Sequence, residues 1–259
     1  SPRRARRRSF KPRARLPREG MLIQFDGSEH VWFGNHKSDL IAAIDDATGK
    51  VVSAEFFYGE KSLHCLKVIK QVIDNNGIPE AFYFDQAGIY GKLDYESESQ
   101  ISRAFDQLNI QLILASTPQA KGRVERLFRT LQDRLIAELS FFEMKTIEEA
   151  NEFLREYIPR FNAQFGVAPQ DEEKAYRKNV FGRLDLILCK KERRKINIGN
   201  IFSYESVTWL LEEVRCYRGR EVNINTHIDG RQSFDIMGKE IHPRPIRSYK
   251  FNGNRKRAV

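Results

Sequence analysis

Three acidic residues stand where predicted elements of secondary structure would bring them together. Asp26 ends the predicted strand 21–26, Asp85 follows the predicted strand 81–84, and Glu125 lies on a long predicted helix. If the two strands are neighbours, both aspartates emerge at the same edge of a sheet. Three carboxylates at one point repel one another unless a hard cation neutralises them, and oxygen ligands without cysteine or histidine select Mg²⁺ or Mn²⁺. The pattern therefore predicts a divalent metal site.

The predicted helix around Glu125 adds cations to this site. With about 100° between successive residues, Glu125 flanks the buried face of the helix, and Lys121, Arg129 and Gln132 share that flank. A carboxylate among cations is what a metal site working on phosphates needs. Taken singly, each acid is better explained as a solvated strand-end or helix-surface residue, so the interpretation depends on all three together.

The order of the predicted elements indicates an α/β fold. Predicted strands cover residues 21–26, 40–44, 51–58, 81–84 and 110–115. Predicted helices cover residues 61–75, a segment with Ile101, Phe105 and Leu108 on one face, residues 118–139, and a segment opened by a capping box of Thr146 and Glu149. Three consecutive strands followed by alternating helices and strands predict a mixed five-stranded sheet with helices on its faces.

The composition changes after about residue 170. Short, often alternating apolar runs lie at 184–189, 195–204, 207–211, 222–227 and 233–237, and glycines separate several of them. Short strands with regular turn signals predict a small all-β barrel or sandwich.

Positive charge is concentrated at the two ends of the chain. The 259 residues carry a formal net charge of +9, and residues 1–18 contain nine Arg or Lys and no acid. Residues 244–259 are also basic without an acid. Such proline-containing basic blocks do not fold alone and are often arms for a polyanion, because arginines that neutralise phosphates release counterions. Solubilising tails or an address signal remain the alternative.

Composition excludes several classes of protein. No run of 18 apolar residues is present, which excludes a membrane-spanning helix. The three cysteines, Cys65, Cys189 and Cys216, are far apart, which excludes a disulfide framework and a zinc-finger-type site.

The segment Pro118–Arg126, PQAKGRVER, gives the chain a family resemblance. It is similar to the PQ-x-KG-x-VER segment around the catalytic glutamate of retroviral-integrase-like (DDE) transposases, and looks closest to those of bacterial insertion sequences. QFDGSEHVWF at residues 24–33 and IDDATGKVV at 44–52 are similar to further parts of the family.

The resemblance implies an organisation and a mechanism. It implies a basic disordered arm at 1–18, a ribonuclease-H-like integrase catalytic core at 19–174, a small β-barrel at 175–247 and a basic tail at 248–259. Asp26, Asp85 and Glu125 are then the catalytic and metal-binding residues for two Mg²⁺ ions, which Mn²⁺ could replace. The family's N-terminal helix-turn-helix is missing, so we expect a fragment that begins in the linker.

The same resemblance implies the substrate and the partners. The expected activity is metal-dependent cleavage of double-stranded DNA at transposon ends and strand transfer into target DNA, by copies of the chain assembled on DNA in the bacterial cytoplasm at the nucleoid, without a membrane partner. The expected DNA-binding residues are Gln119, Lys121, Arg123, Arg126 and Arg129.

Two other functions fit part of the pattern. A ribonuclease-H-like nuclease would cut without joining, and a non-catalytic DNA-binding module would bind no metal at the three acids. The adjacent Asp45 and Asp46 could be extra ligands, but turn chemistry alone explains the DDATG segment.

Overall fold

The computed structural model of the chain describes residues 14–59, 61–85, 95–115, 118–212 and 216–246, and only the backbone of residues 85, 95–99, 115 and 118–122. The chain divides into two compact units between Leu188 and Cys189. In these ranges no helix combines the length and the apolar character that crossing a membrane requires.

The first unit is built on a mixed sheet of five strands. The strands are β1 (Ile23–His30), β2 (Ser38–Asp45), β3 (Val51–Phe57), β4 (Ala81–Asp85) and β5 (Gln111–Ala115). Their order is β3-β2-β1-β4-β5; β1, β2 and β3 are antiparallel neighbours, whereas β1, β4 and β5 run parallel. The predicted mixed five-stranded sheet is confirmed.

Helices cover both faces of this sheet. In the described residues they are α1 (Ser62–Asn76), α2 (Tyr95–Leu108), α3 (Pro118–Phe141) and α4 (Ile147–Phe165). The predicted apolar stripe of α3 is buried in one cluster with residues of α4 and β2: Val124, Leu127, Phe128, Leu131 and Leu135. On β2, Leu40 and Ala42 belong to this cluster, and the alternate residues Ile41 and Ala43 are also fully buried. Since every residue of β2 is buried, the strand is covered from both sides.

Helix α4 begins as predicted, and two of its side chains form hydrogen bonds with the backbone of the outer strand β3. Thr146 Oγ1 accepts a hydrogen bond from the Glu149 N–H at 3.2 Å, and the Glu149 carboxylate accepts one from the Thr146 N–H at 3.1 Å. Further along α4, the Asn162 side chain accepts from the Val51 N–H and donates to the Val51 carbonyl, both at 2.8 Å. Asn151 pairs in the same way with the backbone of Phe56, at 2.7 and 3.1 Å. These two amides take the place of a neighbouring strand.

Strand β1 continues past the end that the sequence predicted. Asp26 was expected to end the strand, but the antiparallel pairing with β2 runs on to the pair His30–Ser38. The polar residues 27–30 show no apolar alternation. These residues form a strand because they pair with β2 on one side of β1, although β4, on the other side, ends at Asp85. Asp26 therefore lies inside β1.

Residues 14–20, which we call the linker strap, lie against the first unit. Leu16 packs on a small cluster of Leu22, Ala81 and Tyr83. The Pro17 carbonyl accepts from the Asp171 N–H at 3.0 Å, and the Gly20 N–H donates to Asp45 at 2.8 Å. Residues 15–18 of the arm that we expected to be disordered thus have fixed contacts.

The chain passes from the first compact unit to the second after Leu188, and not after residue 174 as predicted. The Ala175 N–H donates to the Glu19 carbonyl at 2.8 Å, and Arg177 pairs through its backbone with Ile78. The Arg177 guanidinium also donates to the carbonyls of Leu108 and Asn109, at 3.0 and 2.7 Å. Residues 175–188 therefore belong to the first unit.

The second unit contains two small antiparallel sheets. One has the order β11-β10-β9-β6 and the other β12-β8-β7. The strands are β6 (Lys190–Lys195), β7 (Ile201–Tyr204), β8 (Val207–Leu210), β9 (Glu221–Thr226), β10 (Gln232–Ile236), β11 (Lys239–Ile241) and β12 (Arg244–Ile246). An apolar cluster that includes Phe202, Ile224 and Phe234 forms the core. The all-β prediction is confirmed, but within the described residues the strands do not close into a barrel.

In this region one predicted strand is wrong and strand β6 was not predicted. The predicted strand 184–189 contains a short 3₁₀ helix, Leu184–Leu186. Strand β6, with the sequence KKERRK, was missed because it has no apolar alternation. It forms because it pairs along its whole length with β9, while Glu192 makes ion pairs with Lys190 and Arg194 at 3.3 and 3.1 Å.

Candidate active site

The first two acids of the predicted site occupy equivalent positions on neighbouring strands. In the parallel pairing of β1 and β4, Phe25 stands opposite Phe84. Asp26 and Asp85 are the next residue on each strand, so their backbones lie side by side. The Asp26 side chain is half-buried and its Oδ1 accepts from the Gly27 N–H at 2.9 Å. The side chain of Asp85 lies outside the described residues.

Two contacts place helix α3 along β1. Near the start of the helix, Arg123 forms an ion pair with Asp46, whose carboxylate also accepts from Gln24 Nε2 at 2.7 Å. Further along, Gln132 Nε2 donates to Ser28 Oγ at 3.2 Å. Because side chains alternate along a strand, Gln24 and Ser28 lie on the same face of β1 as Asp26. The two contacts therefore bracket Asp26 on the strand.

Glu125 lies on α3 between the same two contacts. It precedes Gln132 by about two helical turns, so both residues point to the same side of the helix. Since Gln132 donates a hydrogen bond to Ser28 of β1, this side of α3 faces the strand that carries Asp26. The Glu125 side chain is exposed. Glu125 therefore lies on the flank of α3 that faces β1, between the contacts at Gln24 and Ser28.

The donor set fits a hard divalent cation. The three acids offer only carboxylate oxygens, the ligands that Mg²⁺ and Mn²⁺ prefer. Among the side chains that the structure describes, which do not include that of Asp85, no three His, Cys, Asp or Glu residues are grouped closely enough to hold a metal ion.

The predicted DNA-binding cations lie in different environments. Arg126 and Arg129 are exposed on α3. The Arg123 side chain is only 19% exposed and is paired with the fully buried carboxylate of Asp46. The side chains of Gln119 and Lys121 lie outside the described residues. Of the three predicted contacts whose side chains the structure describes, Arg126 and Arg129 are therefore the ones whose guanidinium groups face solvent.

Asp45 has the turn role that the sequence predicted. Its carboxylate accepts hydrogen bonds from the Gly20 N–H, the Thr48 N–H and the Thr48 hydroxyl, at 2.8, 2.9 and 3.0 Å. Burial raises the pKa of this carboxyl group above its ordinary value, against the opposite effect of these hydrogen bonds.

Asp46 has a long-range role that sequence reasoning missed. Its carboxylate accepts from the Leu16 N–H at 3.0 Å, besides Gln24 and Arg123. Asp45 alone is enough to form the turn, so Asp46 had no local role in the sequence. An aspartate without a local role could have indicated a long-range contact, but nothing in the sequence identified Arg123 as its partner.

Comparison with known proteins finds curated relatives and solved structures that resemble the chain. A protein of Sinorhizobium fredii named as a transposase, y4bF, is 35% identical, over 95% of this chain and 56% of the relative. The transposase for insertion sequence IS1202 of Streptococcus pneumoniae is 37% identical, over 88% of this chain and 51% of the relative. The chain therefore spans about half the length of these curated relatives.

One of the solved structures that resemble the chain is more distant in sequence. It is a chain of a simian T-cell lymphotropic virus intasome, solved in complex with the PP2A regulatory subunit B56 gamma. Its TM-score is 0.49 and its identity 16%, over 88% of this chain and 81% of that chain. No protein-family model matches the chain.

Proposed function

Because the chain belongs to the insertion-sequence transposases, we propose that it carries the catalytic site with which such an enzyme cuts DNA at transposon ends and joins the cut strand to target DNA. The observation that supports this most directly is that Asp26 and Asp85 lie next to each other on parallel strands. Glu125 lies on α3, the helix that packs along β1.

The three acids are the proposed ligands of two Mg²⁺ ions, which Mn²⁺ could replace. Asp26, on the central strand, and Asp85 and Glu125 beside it would hold the ions through their carboxylate oxygens. When bound there, the ions would supply activation of the attacking oxygen and stabilisation of the leaving oxygen in an in-line displacement at phosphorus. The attacking group is water in the cutting step and the freed 3′-hydroxyl in the joining step, so no nucleophilic side chain is required.

The exposed arginines of α3 are the proposed contacts to the DNA backbone. Arg129 follows Glu125 by about one helical turn, so it lies near the proposed metal ligands. Arg126 and Arg129 would bind phosphates that flank the reacting one and hold the strand in register. Lys121 and Gln119, at the start of α3, are proposed to lie nearest to the reacting strand.

The test is strand joining by the protein with Asp26→Asn, Asp85→Asn or Glu125→Gln. The substrate is a duplex with a pre-cleaved transposon end, mixed with a second duplex and Mg²⁺ or Mn²⁺. Each variant should lose at least roughly 10³-fold in joining rate, because several kcal/mol of transition-state stabilisation is lost. Glu138→Gln is the matched control, since Glu138 is an acid on the same helix that pairs with Arg160 at 3.4 Å.

The outcomes separate the proposal from its rivals. Wild-type protein that cuts the duplex but never joins it would indicate a ribonuclease-H-like nuclease. Variants of the three acids that join DNA as well as Glu138→Gln does would remove the proposed site.

A further inference from the structure

The carboxylate of Asp46 joins three segments of the first unit. Its Oδ2 accepts from the Leu16 N–H of the linker strap at 3.0 Å. Its Oδ1 accepts from Gln24 Nε2 of β1 at 2.7 Å and from the Arg123 guanidinium of α3. The Asp46 side chain has no solvent exposure. A charge so deeply buried is stable only with its partners in place, because removing one partner leaves an uncompensated charge.

The two partners on Oδ1 are each two residues away from a proposed metal ligand. Gln24 precedes Asp26 by two positions on β1, so their side chains lie on the same face of the strand. Arg123 precedes Glu125 by two positions on α3. Two positions on a helix are about 200° apart, so Arg123 and Glu125 leave opposite flanks of α3. A single carboxylate oxygen therefore connects β1 to the start of α3 within one helical turn of Glu125, through the flank opposite to that acid.

We propose that Asp46 is a positioning residue, which holds α3 against β1 so that Glu125 and Asp26 reach the same metal site. This inference rests on the function proposed above. Mg²⁺ demands near-ideal octahedral geometry, so a small shift of one carboxylate weakens its binding. Displacements of about 1 Å away from the reacting atoms can lower a rate about 10²-fold.

The neighbouring aspartate provides a matched control. Asp45 is also buried and also accepts three hydrogen bonds, but its partners are Gly20 and Thr48. None of these contacts touches α3. Asp45→Asn thus perturbs a buried carboxylate at the same turn without breaking the connection between β1 and α3.

Two substitutions break the connection in different ways. Asp46→Asn puts an amide N–H against one of the donors that the carboxylate now accepts. Arg123→Gln removes the guanidinium that donates to Asp46 Oδ1, whereas Gln24, the Leu16 N–H and Arg15, which donates to the Asp46 carbonyl at 3.1 Å, stay in place. Arg123→Lys keeps a cation near Asp46, so it should restore part of the Mn²⁺ binding and of the joining rate that Arg123→Gln loses. It also gives a variant that should fold even if Asp46→Asn does not.

The experiment measures Mn²⁺ binding by isothermal titration calorimetry without DNA, and then the Mg²⁺ dependence of strand joining. Both are done at a temperature where circular dichroism shows every variant folded. We expect Asp46→Asn and Arg123→Gln to weaken Mn²⁺ binding at least roughly tenfold and to lower the joining rate about 10²-fold. Arg123→Lys should be intermediate, and Asp45→Asn should bind Mn²⁺ as the wild type does.

Asp26→Asn distinguishes the two ways in which this can fail. If Asp26→Asn abolishes Mn²⁺ binding and both Asp46→Asn and Arg123→Gln bind Mn²⁺ normally, the positioning role is wrong and the proposed function stands. Equal losses in Asp45→Asn and Asp46→Asn would also overturn the positioning role, since they would reflect stability alone. If Asp26→Asn leaves Mn²⁺ binding unchanged, the proposed metal site itself fails and this inference fails with it.

Discussion

Neighbouring residues on α3 face different environments, and this difference decides which of them are open to solvent. Arg123 is turned toward the buried Asp46, whereas Arg126 and Arg129 face solvent. The sequence placed all three in one basic segment and could not separate them. Their separation depends on Asp46, a residue distant in the chain, and such long-range pairs leave no periodic pattern.

The exposed arginines make a prediction about salt. In the double variant Arg126→Gln, Arg129→Gln, the slope of log Kd against log salt concentration should shrink by about two, roughly one for each lost phosphate contact. Fluorescence anisotropy with a labelled duplex between 50 and about 300 mM salt measures the slope. Arg160→Gln is the control, because Arg160 is an exposed arginine on α4. An equal change of slope in both proteins would argue against specific contacts by α3.

The buried Asp45 makes a prediction about pH. Because its pKa is raised in the folded protein, Asp45 contributes most to stability below its ordinary pKa of 3.8, and that contribution is lost as the pH rises through the raised value. Asp45→Asn should therefore gain stability relative to the wild type as the pH increases over this window. Urea unfolding of both proteins at several pH values measures the difference, and a difference that is constant or moves the other way would contradict it.

The strands and helices that carry the site were largely predictable, whereas their ends were not. The apolar stripe of α3 and the capping box of α4 follow from local spacing, and both are confirmed. The end of β1 depends on how far β2 pairs with it. The charged strand β6 likewise exists only through its pairing with β9. Pairing between strands is set by the tertiary fold, so patterns within one segment miss it.

The linker strap offers a test at the level of an element. Gly20 has φ +87°, and a Cβ there would lie 2.7 Å from the Tyr176 ring. Gly20→Ala should therefore cost about 1 kcal/mol for the backbone and a further 1–3 kcal/mol, roughly, for the clash. Gly59→Ala is the control, since Gly59 has φ +77° with nothing within 4 Å of its Cβ position. Chemical denaturation that gives both variants the same stability would show that the strap does not pack on Tyr176.

At the scale of the whole molecule, the chain has the two parts that the change of composition near residue 170 suggested. Their junction lies later, between Leu188 and Cys189. Residues 175–188 read as the beginning of the β-rich part, yet Ala175 and Arg177 bond to the first unit. A short connecting segment can attach to either neighbour, and composition does not decide which.

This junction can be tested by truncation. A protein that ends at Leu188 keeps the contacts of Arg177 with Leu108 and Asn109, and a protein that ends at residue 174 loses them. Thermal unfolding should give the longer protein the higher Tm, by several degrees, because several buried hydrogen bonds and the Tyr176 contact are retained. Equal Tm values would place residues 175–188 outside the stable unit.

The two side-chain amides of α4 have a consequence for how this protein behaves when many copies are crowded together. An outer strand with open backbone groups can recruit a strand from another molecule, and repetition of that event produces fibrils. On β3, the groups of Val51 and Phe56 are already occupied by Asn162 and Asn151. These hydrogen bonds disfavour the pairing of β3 with a strand of another molecule, and therefore the growth of fibrils from this edge of the sheet.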